Sequence, residues 1–267
     1  MRINQNIMAF NAYRNLSTTN TSMGKSLEKL SSGYRINRAA DDAAGLVIST
    51  GLRAQVSGLK VATRNAQDGV SVVQTAEGAL TEVHAMLSRM RDLAVQSVNG
   101  SNDSAARTAA DNEITQLRAE IHRVADNTKF GSLNLLTGSF DAAIQVGANA
   151  GDTIAVSISS LSASASVGGD VLSAAAAASF ITSVDAAISA VSQLRGKLGA
   201  LQNRFESTIN NIQVATENLA ASEGRIRDTD MALEMVSFTR HQILTQAGTA
   251  MLGQANSVPQ NVLRLLG

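Results

Sequence analysis

The chain of 267 residues is 44% hydrophobic and 16% charged, with 22 basic and 22 acidic side chains, no Cys, no Trp, one Pro and 3% aromatics. Disulfides and thiolate metal centres are excluded, and zero net charge supplies no general attraction to nucleic acid or to a membrane. Abundant Ala with scarce Pro suits long uninterrupted helices, while so few aromatics argue against the large compact core of an ordinary enzyme.

The first predicted helix carries Ala9, Tyr13, Leu16, Asn20, Met23, Leu27, Leu30 and Tyr34 in alternating steps of four and three, and Ser31 to Asn37 breaks that pattern. A second helix should start near Asp41 or Asp42, where carboxylates suit a helix amino terminus. It runs on Leu52, Leu59, Ala66, Val73, Leu80, Leu87 and Ala94, with a companion stripe of Val56 and Val70 that moves to Ala76, Val83 and Met90. That shift is expected when a nearly straight helix meets more than one partner. From about Ala44 to Val98, at 1.5 Å per residue, it spans roughly 80 Å.

Asn99 to Ser104 is a turn cluster, and a third helix follows on Ala110, Ile114, Leu117, Ile121 and Val124. Gly131 and Gly138 punctuate its exit. The apolar period then changes to two, with Phe140, Ala142, Ile144 and Val146 before a Gly-containing turn and Ile154, Val156 and Ile158 after it, which predicts one β-hairpin. Residues 159–179 are a Ser, Ala and Gly bridge. A fourth long helix carries Ile181, Val184, Ile188, Val191, Leu194, Leu198, Leu201, Phe205, Ile209, Ile212 and Leu219, is interrupted over Glu223 to Thr229, and is followed by a last helix on Met231, Met235, Phe238, Ile243, Ala247 and Met251. Beyond Pro259 the chain ends on Val262, Leu263, Leu265 and Leu266.

The expected fold is mainly α: long antiparallel helical rods in a coiled-coil-like bundle with one hairpin. It divides into segments 1–40, 41–158, 159–179, 180–222 and 223–267, mirrored about the bridge. No run approaches about 18 consecutive apolar residues, and the amino end lacks the apolar stretch of a cleavable signal peptide, so composition alone points to the cytoplasm.

Catalytic and metal chemistry find no foothold. His84, His122 and His241 fall on three different helices, and no His-Glu-x-x-His, Gly-x-Ser-x-Gly or phosphate-binding Gly loop is present. Asp41 and Asp42 read as helix-start caps or as partners of Arg35 or Arg38. The early basic residues are scattered without aromatic interleaving, and the methionines read as gap-fillers between helices. Arg89 and Leu93, four apart and beside the Met90 and Ala94 stripe, read from spacing alone as a solvated helix face. No enzyme activity and no cofactor are expected. Both ends are apolar where soluble monomers are usually polar, which points to partners. The expected assembly seam is Leu16, Met23, Leu27, Leu30, Met235, Phe238, Met251, Val262, Leu263, Leu265 and Leu266, with termini disordered in the monomer and ordered in an assembly.

Met1 to Asn6, Leu30-Ser-Ser-Gly-Tyr-Arg-Ile-Asn37, Asp41-Asp-Ala-Ala-Gly45, Arg89 to Gln96, Gln145-Val-Gly-Ala-Asn-Ala-Gly151 and Ser257-Val-Pro-Gln-Asn-Val-Leu263 together resemble bacterial flagellin, in a short form lacking the outer variable domains. The resemblance implies a secreted, extracellular subunit of the flagellar filament, a helical homopolymer used in swimming. Terminal helices would form its inner tube, and the long helices and hairpin its outer tube. It implies passage through the flagellar type III export path with a chaperone, and contact with the filament cap and hook-associated junction proteins. It also implies recognition of the monomer by the flagellin-sensing vertebrate Toll-like receptor through Arg89, Leu93 and Glu113. The hairpin residues Val146, Gly147, Asn149, Gly151 and Ile154 are expected at contacts between subunits. The nearest rival is a hook–filament junction protein; a coiled-coil enzyme or cytoplasmic adaptor is the rival from another class.

Overall fold

The computed structural model describes residues 5–161 and 167–266, with side chains as far as Val258. Helix α1 (Ile7–Ser32) starts where the Asn6 side chain accepts the Ala9 N–H, and ends at Gly33, whose φ of 74° gives a left-handed cap bonded to the Lys29 carbonyl. Asp42 Oδ1 takes the Gly45 N–H at 2.9 Å and opens α2 (Ala43–Val98). Asp103 caps α3 (Ser104–Asn127) in the same way. Two antiparallel pairs follow, β1 (Lys129–Phe130) with β2 (Leu133–Asn134), and β3 (Asp141–Gln145) with β4 (Thr153–Ser157). The chain continues through α4 (Ala174–Arg227) and α5 (Met231–Leu266).

Mainly helical architecture and the expected hairpin are both present, the latter as β3–β4 with Ile144 opposite Ile154 and Ala142 opposite Val156. The short β1–β2 hairpin is additional. Its two-residue loop begins at Gly131 with φ 59°, the sign that a II′ turn demands. The fourth helix starts earlier than expected, inside the Ser/Ala/Gly bridge, because Ser173 Oγ accepts the Ala176 N–H and the alanines beyond it favour helix. It also runs through the expected interruption. Arg225 and Arg227 complement the negative end of the helix dipole, and the break narrows to Asp228–Asp230. Asp230 then caps α5 through the Ala232 and Leu233 N–H groups.

The chain divides into two compact units, residues 1–55 with 218–267 and residues 56–217, so the divisions fall within α2 and α4. In the second unit α2, α3 and α4 form an antiparallel bundle. Glu77 meets Arg195 at 3.7 Å, Arg91 meets Asp185 at 2.7 Å, and Arg107 donates to the Ser97 carbonyl. Its core holds the expected stripe of Val73, Leu80, Val83, Leu87 and Met90, facing Ile114 and Ile121 of α3 and Phe180, Val184, Val191, Leu198 and Phe205 of α4. Ile154, Val156 and Ile158 close one end. Among the described residues of the bridge, Leu161, Val167 and Val171 are all buried in this core. Within α4, one 18-residue window reaches a mean hydropathy of 1.6 and meets the length and composition of a membrane span. Only 28% of that window is buried, and Phe180, Val184 and Val191 of the helix are core residues of the bundle, with Ile181 and Ile188 partly buried against it.

The two units differ sharply in what they bury. Phe205 is wholly buried, whereas Phe10 in the first unit is 71% exposed. Phe205→Ala should therefore cost the monomer about 3–5 kcal/mol. Phe10→Ala should shift it by about 0.5 kcal/mol or less. Urea unfolding of both variants, followed by circular dichroism, checks the contrast.

Candidate functional site

Helices α1 and α5 pack closely and antiparallel in the first unit. Lys29 lies 3.9 Å from Glu234, Asn20 takes a hydrogen bond from Thr245, Leu16 Cδ1 lies within 3.2 Å of where a Gly248 Cβ would stand, and Asn6 Nδ2 donates to the Ala255 carbonyl. Small residues make that approach: Ala12, Ser26, Gly248 and Ala255 all lie toward the partner helix and are at least half-buried. Of the hydrophobic residues in this unit, only Ile36 and Ala255 are fully buried among those described.

The expected assembly seam therefore separates into two lines. Leu16, Met23, Leu30 and Phe238 are half-buried, on the sides by which α1 and α5 meet. Leu27, Met235 and Met251 (62% exposed) point outward. With them stand Tyr13 and Ile243 (59% exposed) of the expected stripes, and residues that heptad counting passed over: Ile7 and Phe10 on α1, and Val236 and Leu244 on α5. On the side of α5 turned away from α1, Ala232, Met235, Val236, Thr239, Arg240, Ile243 and Leu244 line a shallow, almost wholly apolar depression. The side chains of Val262, Leu263, Leu265 and Leu266 lie outside the described residues. Unpaired apolar faces of this extent mark an interaction surface.

Below the paired helices, the two chain segments that connect them to α2 and α4 are fastened together. Tyr34 and Asp228 form an antiparallel bridge: the Arg35 N–H donates to the Arg227 carbonyl at 2.6 Å and the Thr229 N–H to the Gly33 carbonyl at 3.0 Å. The Arg227 guanidinium lies 4.4 Å from the Tyr34 ring centre and that of Arg53 5.7 Å from it, both within cation–π range. Glu223 binds Arg53 at 2.6 Å and, as the largest cause, raises its pKa. Tyr34 is thus part of this joint rather than the last residue of the α1 stripe. Neither expected arginine offers Asp41 its guanidinium: that of Arg38 pairs with Glu28 and that of Arg35 reaches the Ile226 carbonyl. Asp41 instead accepts the backbone N–H groups of Asn37 and Arg38, which hold its carboxyl below the ordinary value of 3.8, aided by Lys25 and Lys29.

In the second unit, Arg89 Nε and Glu113 Oε1 meet at 2.7 Å with both side chains about half exposed. Leu93 does not join them. It is 3% exposed, because α3 and α4 both cover α2 and widen its buried stripe beyond the Met90 and Ala94 line. The hairpin residues divide likewise. Ile154 is 5% exposed and Val146 is half-buried against the core, so both pack on their own chain. Asn149 and Gly151 remain outside on the turn. Gly147 is required there, since a Cβ would stand 2.3 Å from that of Asp152. No group of three or more potential metal ligands converges among the described residues.

Paired end helices, apolar outer faces and a three-helix bundle with a hairpin define the geometry, and comparison with known proteins identifies it. The family model described as the bacterial flagellin N-terminal helical region matches residues 3–141, and that of the flagellin C-terminal helical region residues 181–266. A flagellin from Halalkalibacterium halodurans is 51% identical, the alignment covering 100% of both chains. This chain belongs to the bacterial flagellin family. Flagellins are structural subunits of the flagellar filament, and motility is their setting. A crystal structure of Bacillus cereus flagellin covers 60% of the chain and is itself covered over 94%, at 31% identity and a TM-score of 0.53. A hook-associated protein structure from Vibrio parahaemolyticus shares the fold over 70% of the chain and all of its own, with a TM-score of 0.61 at 15% identity.

In this flagellin, the α1–α2 turn should be acid-sensitive in a defined direction. Because the Asp41 pKa is depressed on folding, its contribution is fully present above 3.8 and is lost as pH falls through the lower folded value. Below that value the Asn37 and Arg38 amides should exchange with solvent faster, relative to amides of the second unit. Asp41→Asn should remove the pH dependence. Amide hydrogen exchange across the acid range measures both.

Proposed function

We propose that the chain is exported and polymerises head-to-tail into the flagellar filament by burying the outward faces of α1 and α5 on neighbouring copies. The observation that carries this is the first unit's lack of a core of its own, against apolar residues from Ile7 to Tyr13 and from Met231 to Met251 left open to solvent. Register supports an open-ended contact. Since Leu16 is level with Gly248, Tyr13 is level with Met251, whereas the α5 depression is centred near Arg240. That is roughly 17 Å further along the pair at 1.5 Å per residue. A chain therefore cannot fill its own depression with Phe10 and Tyr13, but a copy shifted along the axis can. A contact between different surfaces that repeats with a shift propagates without closing. Family membership supports export through the flagellar path with a chaperone, and meetings with the cap and junction proteins. Full-length identity to a flagellin favours the filament over the junction-protein reading.

Ile243→Asp tests the interface directly, because its position is exposed and the monomer should keep its helical content and unfolding midpoint. Its addition to filament seeds should fall at least tenfold against the parent, followed by light scattering and electron microscopy. Elongation of seeds at the parental rate would overturn the interface. A parent that forms no filament from seeds would favour the junction protein.

A second reading concerns the monomer. The exposed Arg89–Glu113 pair supports contact with the flagellin-sensing Toll-like receptor, with Leu93 acting from within the bundle as support for α2. Arg89→Ala and Glu113→Ala should each weaken stimulation of receptor-bearing cells without altering filament growth. Undiminished stimulation by the double variant would dispose of the pair as a contact.

A further inference from the structure

The turn between α2 and α3 takes no part in the interfaces above, yet it carries its own chemistry. Asn99–Gly100 is the sole Asn-Gly dipeptide in the sequence. It lies just past Val98, the last residue of α2, with both residues exposed. The Asn99 Oδ1 accepts the Ser101 N–H at 3.2 Å, which polarises the side-chain carbonyl as an oxyanion-hole donor would. The backbone around it is pinned. The Asn99 N–H donates to the Gln96 carbonyl, and the Arg107 guanidinium reaches the Ser97 and Asn99 carbonyls at 3.0 and 3.4 Å. Gly100 has open space where a Cβ would stand, so no side chain obstructs its nitrogen.

We propose that Asn99 is a self-modifying site, at which the Gly100 backbone nitrogen attacks the Asn99 side-chain carbonyl carbon. A bond forms between Gly100 N and Asn99 Cγ, the bond from Cγ to Nδ2 breaks, and the side-chain amide leaves as ammonia with the proton from Gly100. The product is a five-membered succinimide. Water then opens the ring at either carbonyl, leaving an aspartyl residue or an isoaspartyl linkage that runs through the former side chain. In total one water enters and one ammonia departs, with no change of oxidation state. Either product places a new carboxylate beside Arg107, and the isoaspartyl form lengthens the connection from α2 to α3 by one backbone atom. Asp68–Gly69 is an internal contrast. That dipeptide could form the same ring, but it lies inside α2, where Gly69 is buried and its N–H belongs to the helical ladder.

The test uses the full-length native monomer, held in mildly alkaline buffer at physiological temperature and sampled over days. Peptide mapping by mass spectrometry reads conversion of amide to acid, and an isoaspartate-specific methylation assay reads the linkage. Asn99 should convert at least about tenfold faster than Asn149, Asn203 or Asn256, exposed asparagines not followed by glycine. Gly100→Ala should slow it by about tenfold with the circular dichroism unchanged, and Asn99→Gln should abolish it. Conversion of Asn99 no faster than the other three, conversion only after denaturation, or an unchanged rate in Gly100→Ala would each overturn the proposal.

Discussion

Everything in the first unit depends on one constraint: two lone helices cannot hide their apolar surface from water. A helix pair shields one line of each partner, and α1 and α5 use that line for Leu16, Met23, Leu30 and Phe238. Large apolar residues also stand on their other sides, from Ile7 to Tyr13 and at Leu27 on α1 and from Met231 to Met251 on α5, and nothing in the unit covers them. Exposed apolar faces of this kind belong against something larger. For a chain without a third helix at that place, the covering surface has to come from further copies.

Alanine and glycine set how that can be done. The second unit builds an ordinary core, where Phe180, Phe205, Leu80 and Leu87 bury large side chains among three helices. The first unit instead brings α1 and α5 together on Ser26, Gly248 and Ala255. A close approach gains dispersion contacts from backbone and methyl groups while burying little apolar area per residue. Large residues are thereby released to the outer faces. The shortage of aromatics agrees with this division, since the few present fall into opposite roles. Phe180 and Phe205 fill a core, Phe10 and Tyr13 stand outside, and Tyr34 holds the joint between two arginines.

Much of the fold was legible because two periodicities carry it. Steps of seven placed Val73, Leu80 and Leu87 in the bundle core, and steps of two placed Ile154, Val156 and Ile158 on the inner side of β4. What escaped has a common cause, because each case depends on a neighbour that local spacing does not specify. Leu93 looks marginal beside Met90 until a second covering helix widens the stripe. Leu161, Val167 and Val171 are too isolated in the bridge to form a pattern, yet each finds the core. On α5 both lines are apolar, so spacing could not tell the side that meets α1 from the side left open. The Tyr34–Asp228 bridge joins residues from opposite halves of the sequence, and neither half announces it. The β1–β2 turn is different: Gly131-Ser132 between Phe130 and Leu133 is a readable turn signal, but strands of two residues are too short to show a period of two.

The joint at Tyr34 explains why the exposed faces can act as one surface although they come from the two ends of the chain. Pairing α1 with α5 fixes their register only if the segments leading into them start level, and loose connections would let one helix slide past the other by a turn. The paired backbone hydrogen bonds of Arg35 and Thr229 prevent that at the base, and the Lys29–Glu234 and Asn20–Thr245 contacts repeat the same register higher up. A half-buried ion pair as long as 3.9 Å and one exposed side-chain hydrogen bond add little stability, so their part here is alignment, and the backbone bridge and stacked arginines supply the fastening. With register fixed, Phe10 and Tyr13 stay displaced along the pair from the depression on α5. That constant displacement is what an unending assembly needs, because surfaces that coincided would let each copy satisfy itself or close with a single partner.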